Sequence, residues 1–460
     1  MKITVLNGSP KGNISVTMQY VHYIQKKFPE HKLKIHNISE RIKKIEKENQ
    51  YFQNTMNEIR HSDGILWASP VYYLLIPASY KRFIELISER CVEDVFHNKY
   101  TACLTTSIHF FDHTAHNYIN SICDDLNMRY IGSFSADMYD LQKPEEKERL
   151  CLFAENLFSA IEMNAYTSKN YAPLVSVSEN FTYTPTNVNN KIDLNRKKLL
   201  IATDNESHKN NLAKMVDMFK SVFSTEIETI NLNDLKINGS CLGCINCGYD
   251  NKCVYEGKDD FIDFFNNKIK TADILVWAGE IKDRYLSSKW KTFFDRSFYN
   301  NHAPSLIGKQ IGFIISGPLR QIPNLRQVLE AYVEMQRANP AGFVTDEDRD
   351  SEKISTLLRD FGKCLAQFSE NDYIRPQTFL GVGGTKLFRD DIYGRLRFPF
   401  RADHLAYKKL GVYDFPQKEY KTRIQNATML LLSKLPTFRR EVNKRMKKEM
   451  IKPLEKVLED

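Results

Sequence analysis

Short apolar runs alternate with longer amphipathic stretches along the first 130 residues of the chain. Mainly apolar runs that do not alternate apolar and polar residues predict strands that are buried on both faces, as in a parallel sheet. Helices are predicted from about Ser15, over residues 77–89 and near residues 114–128. Alternating strands and helices indicate a parallel sheet with helices on both sides. The apolar runs are KITVL at 2–6, GILWAS at 64–69 and TACLTTS at 101–107.

The same pattern returns in the second half of the chain. The segment that begins at Asp63 has a counterpart 210 residues later at Asp273, and the strand at 101–107 falls on 311–317. The opening strand pairs instead with KLLIA, at an offset near 197, so that about 13 extra residues enter the second copy. Repetition at one spacing predicts a tandem duplication. Lys81, Phe83 and Glu85 fall on Lys291, Phe293 and Asp295 at the 210-residue offset.

Composition divides the chain into four parts. Residues 1–165 and 198–370 are the two predicted domains, and residues 166–197 between them are rich in Asn, Ser, Thr and Pro, which is typical of a linker. Residues 371–460 have no counterpart in the first copy and end in a helical pattern. The predicted fold class is α/β: two tandem doubly wound parallel sheets plus a helical, basic C-terminal extension.

Charge and hydropathy narrow the class of protein. The chain has 42% hydrophobic and 27% charged residues, which is ordinary for a globular protein. No run approaches the length of a membrane span, so we expect no membrane span and a cytoplasmic location. The net charge of +8 resides in the extension, and no nucleic-acid motif accompanies it. The glycine run at 381–384 lacks the strand-helix context of a nucleotide site and predicts a turn.

The loop after the first strand, NGSPKGNIS at 7–15, carries groups that suit an anion. Backbone N–H groups, hydroxyls, a cation and the positive end of a following helix bind phosphate at the edge of an open parallel sheet. The spacing is neither GxGxxG nor a Walker loop, which disfavours a Rossmann dinucleotide site and an ATPase. The polar side chains are Ser9, Lys11, Asn13, Ser15 and Thr17.

A second loop, Ser69-Pro70-Val71-Tyr72-Tyr73, follows the strand at 64–69. Together with the first loop it resembles the flavodoxin-like NAD(P)H-dependent oxidoreductases, the FMN reductase and iron-sulfur flavoprotein families. The resemblance is close over residues 1–160 and looser over 198–335. It implies flavodoxin-like domains, an FMN phosphate in the first loop, a flavin ring beside the second, a third loop that closes the pocket, and transient NAD(P)H. The implied flavin contacts are Ser9, Lys11, Asn13, Ser15, Thr17, Pro70, Val71, Tyr72, Tyr73, Thr105, Thr106, Ser107 and His109.

The second copy departs from this pattern where the phosphate would bind. Its first loop brings Asp204 and Glu206, and Glu280 stands where the first copy has Pro70. Acids near an anion oppose its binding. We therefore expect one flavin per chain, in the first copy, and keep FMN in the second copy as the alternative.

Four of the nine cysteines lie on one glycine-containing loop in the pattern Cys-x2-Cys-x2-Cys-x5-Cys. Soft thiolates at short spacing suit iron–sulfur clusters more than zinc fingers. The pattern resembles the cysteine motif of iron-sulfur flavoproteins, which implies a [4Fe–4S] cluster; zinc and a metal-free loop remain the alternatives. We expect the loop to face the flavin of the first copy. The predicted ligands are Cys241, Cys244, Cys247 and Cys253.

Two further polar groups have competing interpretations. His109, Asp112, His113 and His116 follow the third strand and could bind metal, pass protons to flavin or substrate, or form a polar loop. The Asp259–Asp260 pair precedes an apolar run and predicts a helix N-cap.

The sequence as a whole predicts an NAD(P)H-dependent FMN oxidoreductase that passes electrons from a nicotinamide to an acceptor, in part through a [4Fe–4S] cluster. Because the flavin performs the chemistry, no catalytic side chain is predicted. The acceptor is a small molecule or a redox protein, and a homodimer is left open. A non-catalytic flavin and iron–sulfur electron carrier is the alternative, and a scaffold without cofactors is a third reading.

Overall fold

The structure, a computed structural model, describes residues 1–177, 181–186, 191–414 and 419–458. It divides into two compact units, Met1–Ala406 and Tyr407–Asp460. The first unit contains both copies of the repeat. In the described part of the chain, no helix is long and apolar enough to cross a membrane.

The first copy is a five-stranded parallel sheet of order β2-β1-β3-β4-β5. Its central strands are apolar and fully buried because helices cover both faces. The order reverses at β1, so the ends of β1 and β3 open a crevice where such sheets bind ligands. The elements are β1 (Lys2–Asn7), α1 (Val16–Lys27), β2 (Lys32–Asn37), α2 (Ile42–Lys47), α3 (Asn49–Arg60), β3 (Gly64–Pro70), α4 (Ala78–Glu89), β4 (Tyr100–Thr106), α5 (Asp112–Asp125), β5 (Arg129–Ala136) and α6 (Pro144–Glu162).

The second copy repeats this topology, with strand order β10-β9-β8-β6-β7. The predicted duplication of a flavodoxin-like fold is confirmed. The extra residues of this copy lie between β7 and α8, and they include the cysteine loop. The elements are β6 (Leu199–Thr203), α7 (Asn211–Ser221), β7 (Glu228–Asn231), α8 (Phe261–Phe264), β8 (Ile274–Glu280), α9 (Ser288–Ser297), β9 (Gln310–Ser316), α10 (Pro323–Met335), β10 (Asn339–Thr345) and α11 (Ser351–Glu370).

The remaining described helices belong to the extension. They are α12 (Phe379–Tyr393), α13 (Arg401–Lys409), α14 (Tyr420–Leu432) and α15 (Pro436–Leu458). The prediction of a turn at the 381–384 glycine run is wrong, because these residues lie inside α12. A Cβ on Gly381 would lie 2.9 Å from Cβ of Glu334 in α10, and one on Gly384 would lie 2.7 Å from the Phe110 ring. Glycine therefore serves close helix packing here.

The two copies meet through α4 and α9 with reciprocal contacts. The backbone N–H of Ala78 donates to Oδ2 of Asp295 at 2.7 Å, and the N–H of Ser288 donates to Oε1 of Glu85 at 2.6 Å. The 210-residue offset relates each donor to the other donor and each acid to the other acid. Such mutual contacts are the mark of an isologous interface, which here joins two halves of one chain.

Two buried lysines complete the interface between the copies. Lys81 Nζ lies 2.8 Å from Oδ2 of Asp283 in the other copy, and Lys291 Nζ donates to the carbonyl of Tyr72 at 2.8 Å. Each lysine also pairs with the acid one turn later in its own helix. The repeated Lys-x3-acid pattern thus holds the copies together and orients the second copy toward the crevice of the first.

Candidate functional site

A cavity of about 340 Å³ lies beyond the carboxyl ends of the first sheet. It is lined by all three loops that the sequence assigned to a flavin, because parallel strands deliver the loops that follow them to one edge. Ten of the thirteen predicted flavin contacts line it: Ser9, Lys11, Ser15, Thr17, Pro70, Val71, Tyr72, Tyr73, Thr106 and Ser107.

The first loop forms a compact turn at the start of α1. Its N–H groups at Ser9, Lys11 and Gly12 are used within the loop, by Asn7 Oδ1, Ser9 Oγ and Ser9 O. A 3₁₀ turn at residues 12–14 follows these bonds and leads into α1. The groups at the cavity that can meet an anion include the loop hydroxyls, Lys11 and the N-terminal end of α1.

The other three predicted contacts are not among the described residues that line the cavity. Asn13 is exposed, Thr105 Oγ1 lies 2.7 Å from Nε2 of His116, and His109 turns outward with Nδ1 3.2 Å from Asp112 Oδ2. Burial lowers the pKa of His116 to about 4, so its imidazole is neutral at physiological pH. Among the described residues, no group of three or more His, Cys, Asp or Glu side chains could hold a metal ion.

The second copy supplies the opposite wall, of which the sequence predicted only the cysteine loop. The repeat singles out Asp295, because this residue corresponds to Glu85 at the 210-residue offset. No sequence pattern singles out the aromatic and amide side chains after α9. Residues from the second copy at the cavity are Cys241, Gly243, Ile245, Asp295, Phe298, Asn301, His302, Met335 and Gln336.

The extension closes one side of the cavity with Phe388, Leu396 and Phe400. The ring of His302 stacks on Phe388 with centroids 3.9 Å apart, and His302 Nδ1 lies 2.6 Å from Oδ2 of the buried Asp403. Residues 379–403 therefore form part of the site, although the sequence predicted only a C-terminal extension here.

A bidentate ion pair ties this part of the extension to the first copy. Arg395 donates to both carboxylate oxygens of Asp137, at 2.7 and 2.6 Å. Burial alone would raise the pKa of Asp137, but these hydrogen bonds keep it below its usual value. The extension is thus anchored by contacts to both copies.

The cysteine loop lies between the second flavin loop and the extension, on the side of the first-copy cavity as expected. Cys241 lines the cavity. A Cβ on Gly243, whose φ is +62°, would lie 1.8 Å from the Tyr72 hydroxyl, and one on Gly248 would lie 2.0 Å from the carbonyl oxygen of Pro399. These contacts require the absence of side chains at both glycines.

Burial keeps the Cys241 and Cys247 thiols and the nearby Tyr72 phenol neutral. Burial raises the pKa of Cys241 to about 12, and burial with the neighbouring Cys253 and Cys244 raises the pKa of Cys247 to about 12. Burial and the nearby Cys241 raise the pKa of Tyr72 as well. The cysteines influence one another but are not gathered at metal-binding distance in the described structure.

The equivalent crevice of the second copy is occupied by a buried acid. Asp204 is 6% exposed, and its Oδ2 accepts a hydrogen bond from Ser287 Oγ. Burial raises the pKa of Asp204 to about 6. A carboxylate at this position opposes an anionic ligand.

The raised pKa of Asp204 makes stability depend on pH. Because the folded-state pKa lies above the unfolded-state value, the favourable contribution is present below about pH 4 and is lost as the pH rises through about 6. A difference of two units corresponds to about 3 kcal/mol. We expect Asp204→Asn to flatten this part of the profile, as measured by urea unfolding between pH 4.5 and 7.5. Asp234→Asn, at an exposed position, should leave the profile as in the wild type.

The strand order and the cavity at the carboxyl edge together define the class of flavodoxin-like α/β proteins. The family model described as NADPH-dependent FMN reductase matches residues 1–139 and again residues 198–350. The chain belongs to this family and is an NAD(P)H-dependent FMN oxidoreductase; the family favours this reading over a non-catalytic carrier.

Similar proteins include one curated relative and several solved structures. An iron-sulfur flavoprotein of Archaeoglobus fulgidus is 29% identical over 175 residues, and the match covers 35% of this chain and 76% of the relative. The apo form of the NADH:FMN oxidoreductase EMOB is 14% identical with a TM-score of 0.30, covering 36% of this chain and 91% of its own. FerB, a flavoenzyme NAD(P)H:(acceptor) oxidoreductase from Paracoccus denitrificans, is 17% identical with a TM-score of 0.28, covering 36% and 99%.

Proposed function

We propose that one FMN binds in the first copy and passes electrons from NAD(P)H to a small-molecule acceptor at a site walled by both copies and the extension. The observation that carries this proposal is the convergence of ten predicted flavin contacts on one cavity. One end of that cavity offers hydroxyls, a lysine and a helix N-terminus, and the rest is mainly apolar and aromatic. These residues fit a phosphorylated ligand with a flat ring.

The walls of the cavity have different roles toward the bound ligand. Ser9, Ser15 and Lys11 meet the anionic end of the ligand, and the Tyr72 and Tyr73 side chains supply apolar contact near its ring. FMN bound there supplies hydride transfer from the nicotinamide. The second copy and the extension exclude water from the opposite side, which strengthens polar contacts inside the cavity.

We propose further that the cysteine loop holds a [4Fe–4S] cluster. Four thiols within thirteen residues are the soft donors that such a cluster requires, and the curated relative carries the name iron-sulfur flavoprotein. Cys241, Cys244, Cys247 and Cys253 would be its ligands once loading draws the four thiols together, and the cluster would supply one-electron transfer. Because burial keeps the Cys241 and Cys247 thiols protonated until a metal displaces their protons, loading should release protons and favour higher pH.

The flavin site is tested by FMN content in matched variants of the two copies. Ser9→Asp adds a negative charge to the first loop of copy one, and Ser207→Asp adds the same charge to the first loop of copy two. We expect wild type to hold one FMN per chain. FMN affinity should fall by at least about 100-fold in Ser9→Asp, since a buried like charge opposes the phosphate, and by less than about twofold in Ser207→Asp. The opposite pattern would place the flavin in copy two.

The electron acceptor and the cluster are tested separately. Steady-state oxidation of NADH and NADPH, with a quinone or free flavin as acceptor, should show turnover by wild type and almost none by Ser9→Asp. Protein purified without oxygen should contain about four iron and four sulfide per chain, and replacing any of the four cysteines with serine should remove them. A zinc content of one, or no metal in the anaerobic protein, would overturn the cluster proposal while leaving the flavin proposal intact.

A further inference from the structure

The described helices α14 and α15, in the unit Tyr407–Asp460, leave large apolar side chains in contact with solvent. In α14 no described residue is buried. Ile424 is 69% exposed, Met450 is 69% exposed and Leu454 is 62% exposed. Apolar side chains that are exposed together on one surface mark a place where something else binds.

Several of these exposed side chains line up along each helix. In α15, Met446, Met450, Ile451, Leu454 and Val457 follow the spacing i, i+4, i+5, i+8 and i+11, which places them on a single side. The same spacing rule places Tyr420, Ile424 and Leu431 on one side of α14, and the exposed Met429 and Leu430 extend the apolar surface around that helix. Each helix therefore carries an uncovered apolar stripe.

The segment that contains these helices is strongly basic. Residues 419–458 contain eleven Lys or Arg and four Asp or Glu, a net charge of +7. Two of the four acids already pair within α15, Glu441 with Arg445 at 2.8 Å and Glu449 with Lys452 at 3.7 Å. Lys444 and Lys448, four residues apart, lie on the side of α15 away from Met446 and Met450. The surface thus combines exposed apolar side chains with cationic ones.

We propose that α14 and α15 bind the surface of an anionic lipid bilayer, with their apolar faces inserted at the level of the headgroups. Basic amphipathic helices with exposed apolar faces lie in the plane of the interface, and long Lys and Arg side chains reach the anionic headgroups. A second copy of the chain would bring one +7 surface against another, which like-charge repulsion opposes. The inference is independent of the cofactors and rests on the charge and exposure of these helices.

The test is co-sedimentation of the full chain with vesicles of phosphatidylcholine alone or with 30% phosphatidylglycerol. We expect partitioning to the anionic vesicles at least tenfold above the neutral ones, and a decrease at 0.5 M NaCl because salt screens the attraction. Equal partitioning to both kinds of vesicle, or none, would overturn the proposal.

Matched variants of α14 separate the apolar face from charge alone. Two double variants add the same charge to opposite sides of the helix. The first is Ile424→Glu/Leu431→Glu, and the second is Thr422→Glu/Asn426→Glu. We expect the first pair to lower partitioning at least tenfold and the second by less than threefold. Circular dichroism and the melting temperature should match wild type in both. If light scattering instead shows a wild-type dimer that Ile424→Glu/Leu431→Glu converts to a monomer, the face binds a second copy and the membrane proposal is wrong.

Discussion

Replacing Gly243 with alanine is expected to lower the affinity for FMN by at least about tenfold, because the new methyl group must displace the Tyr72 side chain from the cavity wall. A Cβ at this position would lie 1.8 Å from the Tyr72 hydroxyl and 2.7 Å from Cζ of the same ring. Cβ atoms do not approach other heavy atoms that closely, so either the cysteine loop or the tyrosine loop must move. Fluorescence titration of the apoprotein with FMN measures the effect.

Gly257→Ala is the matched control for backbone strain. Gly257 has φ +69°, close to the +62° of Gly243, but a Cβ there would have no neighbour within 4 Å in the described structure. Both variants bear the cost of about 1 kcal/mol for a left-handed alanine, whereas only Gly243→Ala meets a neighbour. Tyr72→Phe in the Gly243→Ala background removes the nearest atom and should recover part of the affinity. Equal FMN affinity in the two alanine variants would show that the contact does not shape the flavin site.

Replacing Arg296 with methionine is expected to cost about 3–5 kcal/mol in the free energy of unfolding, because it leaves the Asp259 carboxylate buried and without its cation. Arg296 donates to both Asp259 oxygens at 2.7 and 2.9 Å and to the Gly239 carbonyl at 2.9 Å, at the base of the cysteine loop. Both side chains are buried, with exposures of 1% and 0%. Urea unfolding followed by circular dichroism measures the loss.

The expected loss in the free energy of unfolding depends on the negative charge of Asp259. Burial alone would raise the pKa of Asp259, but hydrogen bonds from Arg296 and from the backbone hold it below its usual value. This contribution is present above the unfolded-state pKa and disappears as the pH falls through the folded-state pKa, so the cost of Arg296→Met should shrink in acid.

Two further variants check this explanation. Asp259→Asn in the Arg296→Met background removes the orphaned charge and should recover about half of the lost stability. Arg326→Met breaks a surface pair, Arg326 with Glu330 at 3.3 Å, and should cost less than about 1 kcal/mol. If the double variant is no more stable than Arg296→Met, the loss comes from packing and not from an unpaired charge.

The position of Asp259 also shows how local prediction can be incomplete. The sequence predicted that Asp259 and Asp260 cap a helix. Asp260 stands at the N-cap of α8 without a capping hydrogen bond from its side chain, and the Asp259 carboxylate accepts from the Phe261 N–H at 3.3 Å. Its stronger partner is Arg296, which lies 37 residues away. Capping is a local property that sequence spacing reveals, whereas the choice of a distant cation depends on how α9 packs beside the loop.

The sequence by itself determined the local elements and their order. The apolar runs predicted β1, β3 and β4, the repeat predicted the second sheet, and the loops after β1 and β3 predicted the polar end of the cavity. These features follow from short-range chemistry: burial patterns define strands, and parallel strands bring their following loops to one edge.

Apart from the cysteine loop, only the tertiary structure decided what stands opposite those loops. Reciprocal contacts between α4 and α9 turn the second copy so that Asp295 and Phe298 face the first-copy cavity, and residues 379–403 fold back to cover it. Pairings between residues some 200 to 300 positions apart depend on the packing of whole helices. No periodicity along the chain encodes these pairings. For this reason the sequence did not show that part of the C-terminal extension forms a wall of the site.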